Sequence, residues 1–297
     1  ADLAAGVLGE SLLGGRLSLD AAKARTGIET LAAELRLSLE ETILGVQRVV
    51  RASMAKAMRL ILARRGVDPR ESGLLAFGGA GPMHAWALAR EIGVRTVLVP
   101  FLPGAFSAYG ILISPIRLEY GRSVVRPLEK AEKVIGSSVQ EFRSRVIQDL
   151  ESQGHDPDRA HFEASADLRF RGQSYEINVP LRGDLGRAFR REHRRRYGYA
   201  SPTEPIELVT IRFVARLPRR IHLPSPPTPR ANPPYRRRVL FEDGWLETTV
   251  YHRNDLGPGH EIAGPAIVEE EYATTLVPPD ARVRIDRAGL LEIEVSR

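Results

Sequence analysis

Cysteine is absent from the 297 residues, which excludes disulfides, thiolate zinc sites and a cysteine nucleophile together. No apolar run reaches the roughly 18–20 residues of a membrane-spanning helix. The start, Ala1-Asp2-Leu3-Ala4, has no basic segment leading into an apolar one, so no secretory signal is expected. It also lacks an initiator Met, and the sequence reads as part of something longer. Lysine is scarce, with only Lys23, Lys56, Lys130 and Lys133 among 43 basic residues, which leaves 39 Arg. The seven His are scattered without a paired ligand spacing, so no self-contained metal site is expected. Net charge is +6, but acids interleave with Arg over most of the length. The two denser runs, Arg190 to Arg196 and Arg236 to Arg238, read as solvated basic faces. Aromatics do not alternate with them as a base-stacking surface requires, so no nucleic acid is expected.

What is present is a helix-strand pattern with clear punctuation. Asp20 caps a helix running to about Leu35. Ser38 with Glu41 forms a capping box for a long helix whose apolar residues Ile43, Val46, Val50, Met54, Met58, Ile61 and Leu62 recur at three- and four-residue steps. Gly66 closes it. Leu74 to Phe77 reads as a buried strand, Gly78 to Pro82 as a turn, Met83 to Ile92 as an amphipathic helix and Thr96 to Val99 as a second strand. Strand, helix and strand in about 26 residues make a parallel βαβ crossover. Helical stretches at 105–113 and 128–153 flank a strand at 119–125.

After residue 157 the texture changes to period-two segments at 164–171, 175–179, 206–216, 238–241, 246–251, 266–268 and 283–295, interrupted by one helix at 184–196. They predict a mostly antiparallel β domain. Residues 217–234 hold seven prolines and read as an extended loop. The expected division is 1–126, an α/β lobe; 127–160, a connecting helix; and 161–297, a β-rich carboxy-terminal domain.

The turn Gly78-Gly79-Ala80-Gly81 lies between a parallel strand and the helix that follows. Glycine there permits positive φ and lets a ligand approach backbone without meeting a Cβ. The helix aims its free N–H groups at the same place, and Pro82 suits its first turn. His84, one step inside, is placed to donate to a ligand or to orient a loop. No Gly-Lys-Ser/Thr follows, so the turn suits an adenosine end rather than phosphate transfer. Glu269, Glu270 and Glu271 read as a solvated strand end, with paired-carboxylate chemistry as the sharper alternative.

The segments Leu74 to Ala85, Val97 to Pro100, Pro103-Gly104, Ser107 to Gly110, Arg169 to Glu176, Arg196 to Tyr199 and Gly264 to Glu269 with Ala273-Thr274-Thr275 together closely resemble the hydantoinase A/5-oxoprolinase family. Leu13 to Asp20 and the long helix agree in the same order. The resemblance implies part of an actin-like (ribonuclease H-like) ATPase lobe followed by the β-rich domain. It implies an enzyme that opens cyclic amides such as hydantoins or 5-oxoproline with ATP and Mg²⁺, alongside a B-type subunit; the lack of cysteine fits a cytoplasmic location. Relatives include ATP-dependent acetone and acetophenone carboxylases, which form the alternative; a non-catalytic scaffold is a second.

The resemblance places the nucleotide at Gly78, Gly79, Ala80, Gly81, His84, Pro103, Gly104 and Ser107. Arg169, Arg171, Gln173 and Tyr175 fall on alternating faces around a strand, which reads either as an interface or substrate contact or as a solvated strand with a bulge at Gly172. The resemblance assigns no catalytic residue and no metal ligand. The family's Asp-x-Gly-Gly-Thr phosphate segments are missing here. Gly-Gly occurs only at Gly14-Gly15 and Gly78-Gly79, each without the preceding acid and following Thr. The expectation is therefore a carboxy-terminal half, inactive alone, completed by the amino-terminal half of the same enzyme.

Overall fold

A computed structural model describes residues 1–219, 228–230 and 232–295. The chain forms two compact units, Ala1–Ile111 with His222–Arg297, and Leu112–Ile221.

The first unit opens with a ribbon, β1 (Ser11–Leu12) and β2 (Leu17–Ser18), then α1 (Ala21–Leu35) and α2 (Leu39–Arg65). The crossover follows as β3 (Gly73–Leu75), α3 (Gly81–Ile92) and β4 (Thr96–Val99). After α4 (Phe106–Ile113) comes the second unit. It contains β5 (Ile116–Pro127), α5 (Glu132–Ser152), β6 (His161–Phe170), β7 (Ile177–Pro180), α6 (Leu185–Tyr197) and β8 (Ile206–Leu217). The chain then returns to the first unit with β9 (Tyr235–Phe241), β10 (Gly244–His252), β11 (Glu261–Ala263) and β12 (Ala266–Glu269). It ends through β13 (Thr274–Val277), β14 (Arg282–Ile285) and β15 (Leu291–Glu294). Much of the Pro-rich segment expected over 217–234 lies outside the described residues. No described helix is long and apolar enough to cross a membrane.

Capping chemistry sets the helix ends. The Asp20 carboxylate accepts from Lys23 N–H at 2.8 Å. Ser38 and Glu41 satisfy each other's backbone donors, and Gly66 ends α2 in the left-handed conformation. The stripe on α2 is only half covered. Ile43 is buried and Met54, Met58 and Leu62 pack on the core, but Val50 and Ile61 are 42% and 55% exposed. Helix α3 exposes Arg90 and Glu91 and buries its apolar residues, as an amphipathic helix does. It packs on α2, β4 and β13, so eight of its 12 residues are buried.

The crossover is parallel, with Leu74 opposite Val97. Its sheet runs β11-β14-β15-β4-β3, leaving β3 at an edge. Leu291 pairs antiparallel with Val99, so the last strand of the chain extends the sheet of the crossover. The other sheet of this unit, β13-β12-β10-β9, includes a parallel pair, β10 with β12. The second unit is an antiparallel sheet, β5-β8-β6-β7, and α5 and α6 share a core with it around Phe170, Phe189 and Leu150. The packing therefore differs from a division at 126 and 160. Residues 235–295 return to the first unit because their strands complete its sheets, while the strands within 161–217 form one sheet with β5, through β8.

Candidate functional site

The βαβ connection places Gly78 to Gly81 at the end of β3, beside the segment after β4. Gly78, at φ +85°, donates its N–H to Pro103 O at 2.7 Å, which ties the two segments together. What each glycine faces divides them. A Cβ on Gly79 would come within 3.0 Å of Tyr272 O, and one on Gly104 would overlap Tyr272 at 2.4–2.9 Å. These two glycines accommodate a strap of the chain itself, residues 270–273, which is pinned further by Thr274 N–H donating to Gly79 O at 3.3 Å. A Cβ on Gly78 or Gly81 would meet no atom within 4 Å, so the other two face open space.

Ala80, Gly104 and Ser107 are exposed and Pro103 is buried. His84 turns inward: it is 8% exposed and its Nδ1 is enclosed without a hydrogen-bond partner. Burial pushes its pKa down, opposed by Asp2 and reinforced by Arg51. The accessible part of the turn is thus backbone, without this imidazole. Sequence reasoning missed an aromatic row beside the turn. The rings of Phe77 and Phe106 lie 5.4 Å apart, and Phe106 stacks on Tyr109 at 5.9 Å. Phe77 is 45% exposed. No periodicity links positions 29 residues apart, so only the fold reveals the row.

On the other side of the strap lies a cleft of about 710 Å³, walled by residues 9–15 and the ends of β9, β10 and β12. Of the three glutamates only Glu271 is exposed as expected of a solvated strand end; Glu269 and Glu270 are not. Glu269 accepts from Tyr235 Oη at 2.9 Å and Arg237 Nη2 at 3.0 Å; burial and this carboxylate push the Tyr235 hydroxyl up to about 12. Arg237 is therefore paired and part-buried rather than on a solvated basic face. Glu271 pairs with Arg16. Glu270 is enclosed with Arg253, side chains 5% and 4% exposed, the carboxylate Oε1 standing 3.7 Å from Nε. Neither of these two atoms has a hydrogen-bond partner. Burial pushes the Glu270 carboxyl up to about 7, against the pull of Arg253 and the Leu102 N–H.

The remaining predicted residues belong to the second unit. Arg169 and Arg171 converge on Glu207 at 3.1 and 3.4 Å. Gln173 has a buried, unpartnered Oε1. Tyr175 packs on Tyr197, ring centroids 4.8 Å apart, and lies 3.5 Å from His193 Nε2. His193 is fully buried, with Nδ1 2.7 Å from Tyr199 O. As expected, residues 196–199 end a helix at a left-handed Gly198 and pack aromatics.

This chain belongs to the hydantoinase/oxoprolinase family. Residues 1–120 match the model "Hydantoinase/oxoprolinase" and residues 208–295 match "Hydantoinase/oxoprolinase C-terminal domain". It is 32% identical to the caprolactamase subunit alpha of Pseudomonas jessenii, over 99% of this chain and 45% of that subunit. It is 28% identical to 5-oxoprolinase 1 of Arabidopsis thaliana, over 94% of this chain and 24% of that protein. The crystal structure of the ATP-dependent caprolactamase superposes with a TM-score of 0.71 at 30% identity, covering all of this chain and 46% of that one. The nucleotide-free structure of acetone carboxylase shares the fold with a TM-score of 0.84 at 22% identity, covering 99% of this chain and 46% of the other. The chain spans less than half the length of each of these relatives.

Proposed function

We propose that this chain contributes the adenosine side of the nucleotide site of an ATP-dependent cyclic amide hydrolase. In this reading its α/β unit is part of an actin-like, ribonuclease H-like lobe. The phosphate-gripping segments and most of the hold on Mg²⁺ come from polypeptide beyond these residues. The observation that carries the reading is the open side of the turn. Gly78 and Gly81 present bare backbone to empty space at the positive end of α3, and Phe77 and Phe106 offer ring surface beside them. Ser107, exposed on the first turn of α4, adds a hydroxyl. The relatives agree, since both the caprolactamase and the oxoprolinase are by name cyclic amide enzymes and the caprolactamase is ATP-dependent.

The chain also presents apolar surface suited to a further polypeptide, here read as the amino-terminal half of the enzyme and a B-type subunit. Leu75 and Phe77 are 42% and 45% exposed on the edge strand β3 and its continuation, and Val49, Val50, Leu60 and Ile61 are exposed on α2. Single exposed apolar residues need no explanation, but clusters of them mark contact surfaces.

Replacing Gly81 by Val tests the reading. The new side chain meets no atom beyond its chain neighbours, but a β-branched residue before Pro82 is disfavoured in a helix, so a stability loss of about 1 kcal/mol is expected and is read separately by urea unfolding. Binding of a non-hydrolysable ATP analogue, followed by calorimetry, should weaken at least tenfold, a loss of about 1.4 kcal/mol. Unchanged affinity in a folded variant would remove the turn from the site. A carboxylase subunit would share the turn and differ in the acceptor. ADP release by the assembled enzyme, stimulated by a lactam rather than by acetone, separates the two readings.

A further inference from the structure

Helix α6 carries six arginines in its 13 residues, and the structure sorts them. Its inner side buries Phe189 and His193. Arg195 and Arg196 are both held by Glu192, at 2.6 and 2.7 Å. Arg190 turns back onto the chain, Nε donating to Ser201 O at 2.9 Å and Nη2 to Glu204 O at 3.1 Å. Arg187, Arg191 and Arg194 are left. They stand one turn apart along the outer face, all exposed, and none pairs with a carboxylate among the described residues. With Asp184, Arg190 and Pro202 they line an open pocket of about 470 Å³. Asp184 offsets little of their charge, because its carboxylate caps the helix by accepting from the Arg187 N–H at 2.9 Å.

Such a row is unfavourable in the free chain. Like charges three and four residues apart repel, and Arg187 stands in the first turn, at the positive end of the helix dipole. A matching row of carboxylates relieves both effects. One charge per turn, over about 10 Å from Arg187 to Arg194, is the spacing at which another helix presents Glu or Asp at i, i+4 and i+7. The row ends beside exposed aromatics. Tyr197, three positions after Arg194, packs on Tyr175 at 4.8 Å, and Tyr175, Tyr197 and Tyr199 surround the buried His193. All three tyrosines are exposed. Arginine and tyrosine are the residues that protein interfaces concentrate. Nucleic acid fits less well, since Tyr175 and Tyr197 pack on each other and on His193 instead of standing splayed to receive bases.

We propose that the outer face of α6, with the tyrosines at its end, docks an acidic helix of a partner polypeptide, whose carboxylates pair with Arg187, Arg191 and Arg194. The proposal rests on the reading that further polypeptide completes the enzyme, and it gives one such contact a place on the second unit. Tyr175 and Tyr197 belong to two segments, 169–176 and 196–199, that nucleotide binding leaves without a role.

Fluorescence anisotropy on the full chain tests the proposal with two labelled, alanine-rich peptides of one composition, about 20 residues long so that each holds a helix. In the first, three Glu fall at i, i+4 and i+7. In the second, the same three are spread around the helix. The first should bind at least tenfold more tightly at low salt, and the difference should vanish in Arg187→Glu/Arg191→Glu. That variant keeps the melting temperature of the parent, because an acid in the first turn suits the helix dipole. Tyr199→Ala should weaken binding of the first peptide by about threefold. Equal binding of the two peptides, binding of neither, or a preference that survives the arginine exchange would overturn the proposal. A single-stranded oligonucleotide that binds this face more tightly than the first peptide would also overturn it. Parallel calorimetry with the ATP analogue keeps the two readings apart: nucleotide binding without peptide selectivity defeats only the docking face, and the converse defeats only the turn.

Discussion

Arg253→Met is expected to destabilise the first unit by about 3–5 kcal/mol at pH 8, the usual consequence of leaving one buried charge without its partner. The side chain is 4% exposed, donates to Gly289 O and is the cation beside Glu270. Removing it strands a carboxylate that has little access to water. At about 2–4 °C per kcal/mol, the melting temperature should fall by roughly 6–20 °C.

The loss should shrink in acid, because Glu270 can then take up a proton. The sign follows from its pKa, which burial in the folded chain raises from the ordinary carboxyl value of 4.5 to about 7. Between these values the folded state binds the extra proton. Glu270 therefore contributes most to stability below about pH 4.5, and that contribution disappears as pH rises through about 7. The swing is about 3 kcal/mol. Glu270→Gln should flatten this part of the pH profile, while leaving Arg253 without its buried counter-charge and so lowering stability across the range. Trp86 and Trp245, the two tryptophans, both lie in the first unit, so urea unfolding followed by tryptophan fluorescence reads the effect where it arises. A pH-independent loss in Arg253→Met would contradict the buried pairing.

Gly264→Ala should be nearly as damaging, at about 3 kcal/mol, the upper end for overpacking a core. A Cβ there would lie 1.7 Å from Pro278 O and 2.6 Å from Pro278 C. Both are backbone atoms, so no rotamer change relieves the clash. Gly264 N–H also donates to Ala281 O at 3.0 Å, which fixes the entry to β12 and hence the strap beyond it. Gly27→Ala is the matched control. Gly27 sits inside α1 with nothing within 4 Å of an added Cβ, so alanine should stabilise by roughly 0.5–1 kcal/mol through helix propensity. Urea midpoints moving in opposite directions would bear out both statements, and equal small shifts would contradict the first.

Local signals were legible in the sequence because they act over three or four residues. The capping box at Ser38 and Glu41, the Asp20 cap and the glycine ending α2 each fix an element's end. The parallel crossover was legible because its apolar strands bracket one helix. Partner choice was not. Period two identifies Leu291 to Glu294 as strand, but nothing local says that it pairs with Val99. The apolar stripe of α2 likewise shows which face is oily without showing what covers it, hence the exposed Val50 and Ile61.

The candidate site was legible in the same uneven way. Four glycines in a strand-to-helix context are a backbone signal, readable in order. That Gly79 and Gly104 receive Tyr272 depends on a strap more than 160 residues away in sequence. Glu270 looks like one of three solvated acids until β12 and β13 fold it against Arg253. His84 shows the reverse error, since helix position alone does not reveal which way a side chain turns.

Amide spectra of the chain labelled with ¹⁵N-glycine, recorded while adenosine and then a non-hydrolysable ATP analogue are added, test the central claim most directly. The account predicts shifts at Gly78, Gly79, Gly81 and Gly104, with the glycines of the second unit unmoved. Saturable nucleotide binding that leaves those four resonances in place, or moves glycines elsewhere instead, would contradict it.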